Sequence, residues 1–129
     1  MRLKIVIGQN QSGLGLTGRG VPDVAADANP ATGVAIVLNG QIQVFGGTSV
    51  ATPIWAGLMG LVNQARLAAG KSTLGMLNPR LYRPAPEASF RDITVGNNGF
   101  PALVGYDLVT GWGAPRMSIL LPDLKAQTP

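Results

Sequence analysis

Residues 44–60 read VFGGTSVATPIWAGLMG, so that two glycines, a threonine and a serine directly precede an apolar run. Beyond this stretch apolar residues continue at helical spacing, and Gly70 is typical of a residue that ends a helix. The pattern predicts an α-helix from about residue 49 to residue 69. Because this helix is apolar nearly all round, we expect it to be central and buried.

Proline and glycine, which disfavour helices, lie inside this predicted helix. Pro53 fits if it occupies the first turn, where its missing N–H has no partner to lose. Gly57 and Gly60 would each cost about 1 kcal/mol relative to alanine in an exposed helix. We therefore expect both glycines to pack closely against a sheet.

Ser49 has two interpretations at this point. A serine before a helix accepts a hydrogen bond from a free backbone N–H and stabilises the helix by about 1 kcal/mol. The same position places the hydroxyl beside backbone N–H groups and the positive end of the helix dipole, where an oxyanion is stabilised. For the isolated pattern, capping is the favoured interpretation.

Short extended segments precede the helix. Residues 33–47, GVAIVLNGQIQVFGG, contain two β-rich runs around Asn39 and Gly40, which predicts a hairpin with a two-residue turn. Residues 21–30, VPDVAADANP, predict a short buried strand that leaves the sheet through a turn. Residues 1–17 predict a short strand, MRLKIVIG, followed by a glycine-rich loop.

After the long helix the chain becomes rich in loops. LNPRLY predicts a second short helix with Asn78 as its cap and Pro79 at its first position. Residues 90–115 predict loops, and residues 117–124 predict a final apolar helix or strand.

Composition restricts the classes of function. The chain has 129 residues, 46% of them apolar and 12% charged, which is typical of one folded domain. Its net charge of +4 comes from Lys and Arg residues scattered singly, so we expect no nucleic-acid partner. We see no secretion signal and no apolar run long enough for a membrane span, and expect neither; localisation stays open.

Histidine and cysteine are both absent. Their absence excludes a Ser-His-Asp triad, disulfides and thiolate metal sites. Acid–base chemistry must therefore use carboxylates, lysines or tyrosines. The carboxylates are Asp23, Asp27, Glu87, Asp92, Asp107 and Asp123.

Five blocks of this sequence resemble, in order and at about the right spacing, the C-terminal part of the catalytic domain of sedolisins, the serine-carboxyl peptidases. The blocks are GRGVPDVAADANPATG, GGTSVATPIWAGLMGLVNQ, GMLNPRLY, FRDITVGNNG and GYDLVTGWGAP. The resemblance covers roughly residues 18–123 and implies that the chain, residues 1–129, is a single partial peptidase domain. It also implies an α/β, subtilisin-like fold, in which a parallel sheet is flanked by helices.

The resemblance implies that Ser49, four residues before Pro53, is a nucleophile that attacks the scissile carbonyl and becomes acylated. In sedolisins a glutamate supported by an aspartate takes the serine proton, and a second aspartate completes the oxyanion hole, which suits acid pH. Those partners belong to segments before the matched part. We therefore expect the chain alone to be inactive.

Weaker candidates for the missing base lie in this chain. Asp23 and Asp27 belong to a structural block of the family, where an aspartate more often bonds backbone or an arginine than acts as a base. Lys4 and Lys71 are remoter candidates for a Ser-Lys pair.

Asp92 and Asp107 lie in the glycine-rich segment, and two carboxylates with turning carbonyls between them suit Ca²⁺. By themselves, loop aspartates are more often turn features. The resemblance implies one Ca²⁺, held by these side chains and by the carbonyls of Ile93, Leu103 and Gly105. The family has glycine where this chain has Leu103, and leucine does not easily adopt a positive φ.

Two functions from different classes follow. The chain is either the C-terminal segment of an acid-acting endopeptidase, which cleaves peptide or protein substrates once completed, or a non-catalytic, calcium-stabilised binding or structural domain. The family is secreted or lysosomal. Half of a buried sheet would expose an edge and apolar helix surface, so we expect self-association.

Single residues have simpler interpretations. We expect Trp55 and Trp112 to pack in the core or loops, and Arg66 and Arg91 to lie on solvated faces.

Overall fold

A computed structural model describes residues 14–82 and 87–128. The predicted strand and loop of residues 1–17 lie mostly outside these residues. In chain order the elements are β1 (Val34–Leu38), β2 (Gln41–Phe45), α1 (Thr48–Ala68), α2 (Asn78–Leu81), a 3-10 turn (Glu87–Ser89), β3 (Phe90–Arg91), β4 (Ala114–Pro115) and α3 (Met117–Ala126).

The predicted hairpin is confirmed. Strands β1 and β2 pair antiparallel, with Leu38 opposite Gln41. The two turn residues, Asn39 and Gly40, have φ values of 52° and 75°. Positive φ at both positions is the type I′ geometry that the Asn-Gly pair favours.

The long helix is confirmed to within a residue of its predicted ends, but its predicted burial is wrong. Only Val62 and Arg66 are buried on α1, and Leu61 and Leu67 are 52% and 58% exposed. The main element that α1 contacts within the described residues is α3. Its other face therefore lies uncovered by the residues that the structure describes.

Gly57 and Gly60 lie on the exposed part of α1. A methyl group added to either glycine would meet no atom within 4 Å among the described residues. The expectation that both pack closely against a sheet is therefore wrong for this part of the chain.

The expected parallel sheet is not found in residues 14–82 and 87–128, where both sheets are two-stranded and antiparallel. The strand predicted at residues 21–30 is irregular. It bonds instead to a loop in which Gly111 and Gly113 have φ values of 62° and 92°, so that loop cannot continue as an extended partner strand.

The two remaining helices are confirmed, and the open alternative for the last apolar segment is resolved as the helix α3. The predicted cap of α2 is wrong by one residue, since Leu77 holds the cap position. Asn78 lies inside the helix, and its side chain bonds Asp23 instead.

The core lies between the second half of α1, α3 and the loops that join them. Its buried apolar residues are Val62, Leu74, Leu81, Tyr82, Phe90, Tyr106, Leu120 and Leu124. The rings of Tyr82, Tyr106 and Trp112 lie 5.7 to 5.9 Å apart in tilted and edge-on pairs, a favoured aromatic geometry. In the described part of the chain, no helix is both long and apolar enough to cross a membrane.

Arg66 contradicts the expectation of a solvated side chain, whereas Arg91 is exposed as expected. The guanidinium of Arg66 is fully buried and donates to the carbonyls of Ser72, Leu124 and Gln127, each at 2.8 Å. Two of these carbonyls lie at the C-terminal end of α3, where a cation is favoured. Arg66 therefore joins α1 to the end of α3.

Candidate functional site

Ser49 is the second residue of α1, and its side chain is exposed. The cap residue is Gly47, with φ 101° and ψ 161°, and no side chain caps the helix. The capping interpretation of Ser49 is therefore wrong, because the helix begins one residue before it. The hydroxyl is left at the surface of the first turn.

The backbone ahead of Ser49 is held by residues 28–30. The amide N–H of Gly47 donates to the carbonyl of Ala28 at 2.6 Å. A methyl group at Gly46 would overlap the backbone of Pro30. Only glycine at position 46 permits this approach, which explains the first glycine of the Gly-Gly pair.

Pro53 is the sixth residue of α1, so the prediction that it lies in the first turn is wrong. In a regular helix its N–H would bond the carbonyl of Ser49, four residues earlier, and proline has no N–H. The carbonyl of Ser49 therefore lies outside the hydrogen-bond ladder of the helix.

Asp23 is the centre of a hydrogen-bond network, and it bonds an arginine as the sequence suggested. Its carboxylate accepts hydrogen bonds from Arg19, from Asn78 Nδ2 at 2.6 Å and from the Tyr82 hydroxyl at 2.6 Å. Burial, and then the bond to Asp23, raise the pKa of Tyr82 well above its usual range. This carboxylate is committed to structural bonds.

The other candidate bases are also engaged elsewhere. Asp27 accepts the N–H of Asn29 at 3.0 Å. Lys71 follows the far end of α1, about 30 Å from Ser49 at 1.5 Å per helical residue. Its ammonium donates to two carbonyls at the end of α3, at 2.9 Å each, so a pair of Ser49 with Lys71 is wrong. Lys4 lies outside the described residues.

The second candidate site is the loop around Asp107, a carboxylate that is fully buried. One oxygen accepts the N–H groups of Val109 and Thr110 at 2.9 and 2.8 Å, and the other accepts the N–H of Leu103 at 2.9 Å. Asp107 thus organises the turn that follows it.

Asp92 meets the same loop. One of its oxygens accepts the N–H of Gly105 at 2.8 Å, and the other is buried with no hydrogen-bond partner in the part of the chain that the structure describes. Because residues 103–105 bond both carboxylates, the structure brings Asp92 and Asp107 to one loop. The one salt bridge among the described residues joins Arg19 to Asp23, so no Lys or Arg of residues 14–82 and 87–128 lies within 4 Å of either carboxylate.

The three candidate carbonyl donors differ in their surroundings. Ile93 is half-buried and lines, beside Asp92, a cavity of about 450 Å³. Leu103 and Gly105 are tied to the two aspartates through their N–H groups. Leu103 does not have a positive φ, whereas Gly105 has φ 83°, so leucine is accommodated without strain.

Metal ligation at this loop would depend on backbone oxygens. In residues 14–82 and 87–128, no three His, Cys, Asp or Glu side chains are grouped as metal ligands. Two carboxylates with additional carbonyls are a donor set of oxygens alone, which suits a hard cation.

Sequence reasoning did not identify the link between Trp55 and residues 21–30. The indole Nε1 of Trp55 donates to the carbonyl of Ala25 at 3.0 Å, and its ring lies 6.4 Å from that of Phe90. The packing of Trp55 was predicted, but no local pattern indicates a hydrogen bond across 30 positions of the chain.

No protein-family model matches the chain. Individual relatives do match. The chain is 43% identical over 124 residues to kumamolisin of Bacillus sp. (strain MN-32), covering 88% of the chain and 22% of the relative. It is 46% identical over 110 residues to tripeptidyl-peptidase sed1 of Aspergillus fumigatus, covering 81% of the chain and 16% of the relative.

Human tripeptidyl-peptidase 1 is 38% identical over 120 residues, covering 84% of the chain and 21% of the relative. Among solved structures, Pseudomonas sedolisin, a serine-carboxyl proteinase complexed with pseudo-iodotyrostatin, matches with a TM-score of 0.70 and 31% identity. That match covers 83% of this chain and 30% of the sedolisin chain. The chain thus spans less than a third of the length of each of these relatives. These matches show that the chain belongs to the sedolisin family, to whose C-terminal part it corresponds.

Proposed function

We propose that the chain is the C-terminal part of an acid-acting serine-carboxyl endopeptidase in which Ser49 is the nucleophile. The observation that carries the proposal is the position of Ser49, exposed on the first turn of α1 with no capping bond. The relatives named as tripeptidyl-peptidases and as a serine-carboxyl proteinase support the same reaction class.

In the proposed reaction the Ser49 oxygen forms a bond to the scissile carbonyl carbon and gives a tetrahedral intermediate. The C–N bond then breaks, so that the amine leaves with the proton taken from Ser49 and the acyl-enzyme forms, which water hydrolyses. The amides of Val50 and Ala51 bond the Gly47 carbonyl. The amides of Thr48 and Ser49 precede the helical ladder, and they lie at the positive end of the helix dipole. Such groups stabilise a developing oxyanion.

We further propose that the chain alone does not hydrolyse peptides, because the proton of Ser49 needs an acceptor. Five carboxylates accept hydrogen bonds from groups other than Ser49. They are Asp23, Asp27, Asp92, Asp107 and Asp123. We propose that the glutamate and the two aspartates of the family's mechanism come from polypeptide outside these 129 residues.

The test is labelling by a serine-directed phosphonate at acid pH. The chain alone should remain unlabelled. A fusion to the part of kumamolisin that precedes its matched region should be labelled at Ser49 and should cleave peptides, and Ser49→Ala should abolish both.

α3 offers a matched control for this experiment. Ser118 is also exposed, is also the second residue of its helix, and also precedes a proline, Pro122, by four positions. Ser118→Ala should leave labelling of the fusion unchanged. Labelling that persists in Ser49→Ala would contradict the catalytic assignment, and labelling of the unfused chain would contradict its inactivity.

The alternative is a non-catalytic, calcium-stabilised binding or structural domain. It is favoured by the engagement of these five carboxylates away from Ser49. An unlabelled, inactive fusion that still gains stability from Ca²⁺ would favour this second function.

We also propose that the loop binds one Ca²⁺ through the carboxylates of Asp92 and Asp107 and the carbonyls of Ile93, Leu103 and Gly105. Two observations on the described residues support this proposal: one oxygen of Asp92 is buried without a partner among them, and none of their Lys or Arg side chains forms a salt bridge with Asp92 or Asp107. Calcium at about 100 times its Kd would stabilise the fold by about 2.7 kcal/mol.

A thermal melt at millimolar Ca²⁺ tests the calcium site. We expect Tm to rise by several degrees, and Asp92→Asn to remove the rise. Asp27→Asn, which changes a carboxylate that already has local bonds, should retain it. An unchanged Tm in the native chain would count against the site.

Finally, we propose that the chain self-associates through its exposed apolar surface. All residues of β2 are exposed, with Ile42 at 76%, and the exposed face of α1 includes Leu61. Sedimentation at micromolar concentration should show a larger species, which Ile42→Lys should weaken more than Gln43→Lys. A compact monomer in the native chain would contradict the proposal.

A further inference from the structure

We propose that residues 22–30, held by Trp55, are a positioning segment that couples ion binding at the Asp92 and Asp107 loop to the backbone ahead of Ser49. The inference rests on the calcium site proposed above. It assigns to Trp55 a positioning role that its place on α1 alone does not indicate.

One end of the segment is bound to the loop. The carbonyl of Asp23 accepts the N–H of Trp112, and the N–H of Ala25 donates to the carbonyl of Gly113, each at 3.0 Å. A methyl group at Gly111 would overlap the backbone of Asp23, so the two chains lie in direct contact.

This contact is continuous with the candidate ligand Asp107. The backbones of Asp107 and Gly111 exchange two hydrogen bonds, each 3.2 Å long. Tyr106, the residue before Asp107, donates its hydroxyl to the carbonyl of Pro22 at 2.9 Å. A change in the position of Asp107 is thus passed to residues 22–25 through two separate contacts.

The other end of the segment is bound to the turn before Ser49. The carbonyl of Ala28 accepts the N–H of Gly47 at 2.6 Å, and Pro30 packs against Gly46 too closely for any side chain there. Both contacts involve backbone atoms. They fix the chain immediately before the first turn of α1.

Trp55 holds the middle of the segment. Its indole N–H donates to Ala25, the same residue that bonds Gly113 on the loop side. Only three positions separate Ala25 from Ala28, at most about 10 Å of extended chain. No glycine lies between them, so a displacement at one end is passed to the other with little slack.

The test follows the amide signals of the uniformly ¹⁵N-labelled full chain during a titration with Ca²⁺. We expect Gly105 and Gly113 to shift as the loop binds the ion, and Gly47 to shift with the same midpoint. Gly40, at the tip of the exposed hairpin, is the internal control and should not move.

Two variants examine the link itself. Trp55→Phe removes the indole N–H that holds Ala25, and we expect it to reduce the Gly47 shift by about twofold or more without changing the Ca²⁺ midpoint at Gly105. Trp112→Phe makes the same chemical change at an indole N–H that is buried without a partner in the described residues. That control should retain the Gly47 shift, and far-UV circular dichroism should show both variants folded.

The outcomes separate the two proposals. If Gly105 shifts and Gly47 does not, the coupling is wrong while the calcium site stands. If neither shifts, both are wrong. If Trp55→Phe leaves the Gly47 shift intact, Trp55 does not position the segment, and the inference is overturned without any reference to activity.

Discussion

Two regions of this chain differ in how completely their side chains are packed and hydrogen-bonded by the rest of the chain. Around Asp107 and Tyr82, both side chains have hydrogen-bond partners and the rings pack against one another, although an oxygen of Asp92 and the indole N–H of Trp112 are buried without a partner in the described residues. The hairpin and the exposed face of α1 leave apolar side chains uncovered by the described residues. We therefore expect substitutions at well-packed, hydrogen-bonded side chains to change stability strongly, and substitutions on the exposed hairpin and α1 face to change it little.

The largest effect is expected at Arg66. Arg66→Ala removes a fully buried side chain and leaves the carbonyls of Ser72, Leu124 and Gln127 without this donor, and we expect a loss of about 3 kcal/mol in the free energy of unfolding. Urea unfolding measures it. Arg91→Ala, at an exposed arginine, should stay within about 0.5 kcal/mol of the native chain. Equal losses of unfolding free energy in the two variants would show that the buried bonds of Arg66 do not stabilise the fold.

The two aspartates Asp107 and Asp27 give the next contrast. Asp107→Ala removes a buried carboxylate that accepts the N–H groups of Leu103, Val109 and Thr110, and should cost about 2 kcal/mol in calcium-free urea unfolding. Asp27→Ala, at an exposed site, should cost less than about 1 kcal/mol. A difference in the opposite direction would show that the loop is not held by its own carboxylate.

A third effect depends on pH. Burial raises the pKa of Tyr82 and of Tyr106 above the value of about 10 that holds in the unfolded chain. Above pH 10 the unfolded chain loses these protons first, so stability falls by about 1.4 kcal/mol per pH unit for one tyrosine.

Unfolding curves between pH 8 and pH 11 measure this slope. Tyr82→Phe costs a hydrogen bond at pH 8 but should make the fall above pH 10 shallower. An unchanged slope would show that Tyr82 does not contribute to it.

The smallest effect is expected on the uncovered face of α1. Gly57→Ala adds a methyl group where no atom of the described residues lies within 4 Å, so it should stabilise the isolated chain by about 0.5 to 1 kcal/mol. Thermal unfolding at low concentration measures the gain. A loss instead of a gain would show that another surface already packs on this glycine.

Local patterns predicted local structure well. Asn39 and Gly40 are sufficient for a hairpin turn because their backbone preference is intrinsic, and the periodicity of residues 48–68 predicts a helix whatever surrounds it. Burial was not predictable in the same way. Burial depends on which surfaces meet, and much of the apolar surface of α1 contacts none of the described residues, so that Leu61 and Leu67 stay exposed.

For the sites, the sequence indicated candidate residues but not the hydrogen bonds that they make. Ser49 was expected to cap α1, but the helix starts one residue earlier because Gly47 takes the cap position through a positive φ. Arg66 was expected in solvent, since no local pattern shows that the end of α3 lies beside it. The ligand role of Asp92 and Asp107 stays a prediction.

The hydrogen bonds around the end of α3 also limit how the polypeptide can be shortened or extended. The carbonyls of residues 124–128 are held by Arg66, Lys71 and Arg80, so this last stretch is anchored to the body of the protein. An affinity tag can be added after Thr128, but an exopeptidase that removed Gln127 would leave a buried guanidinium with one acceptor fewer. Digestion from this end should therefore slow when it reaches the residues whose carbonyls bond Arg66, Lys71 and Arg80.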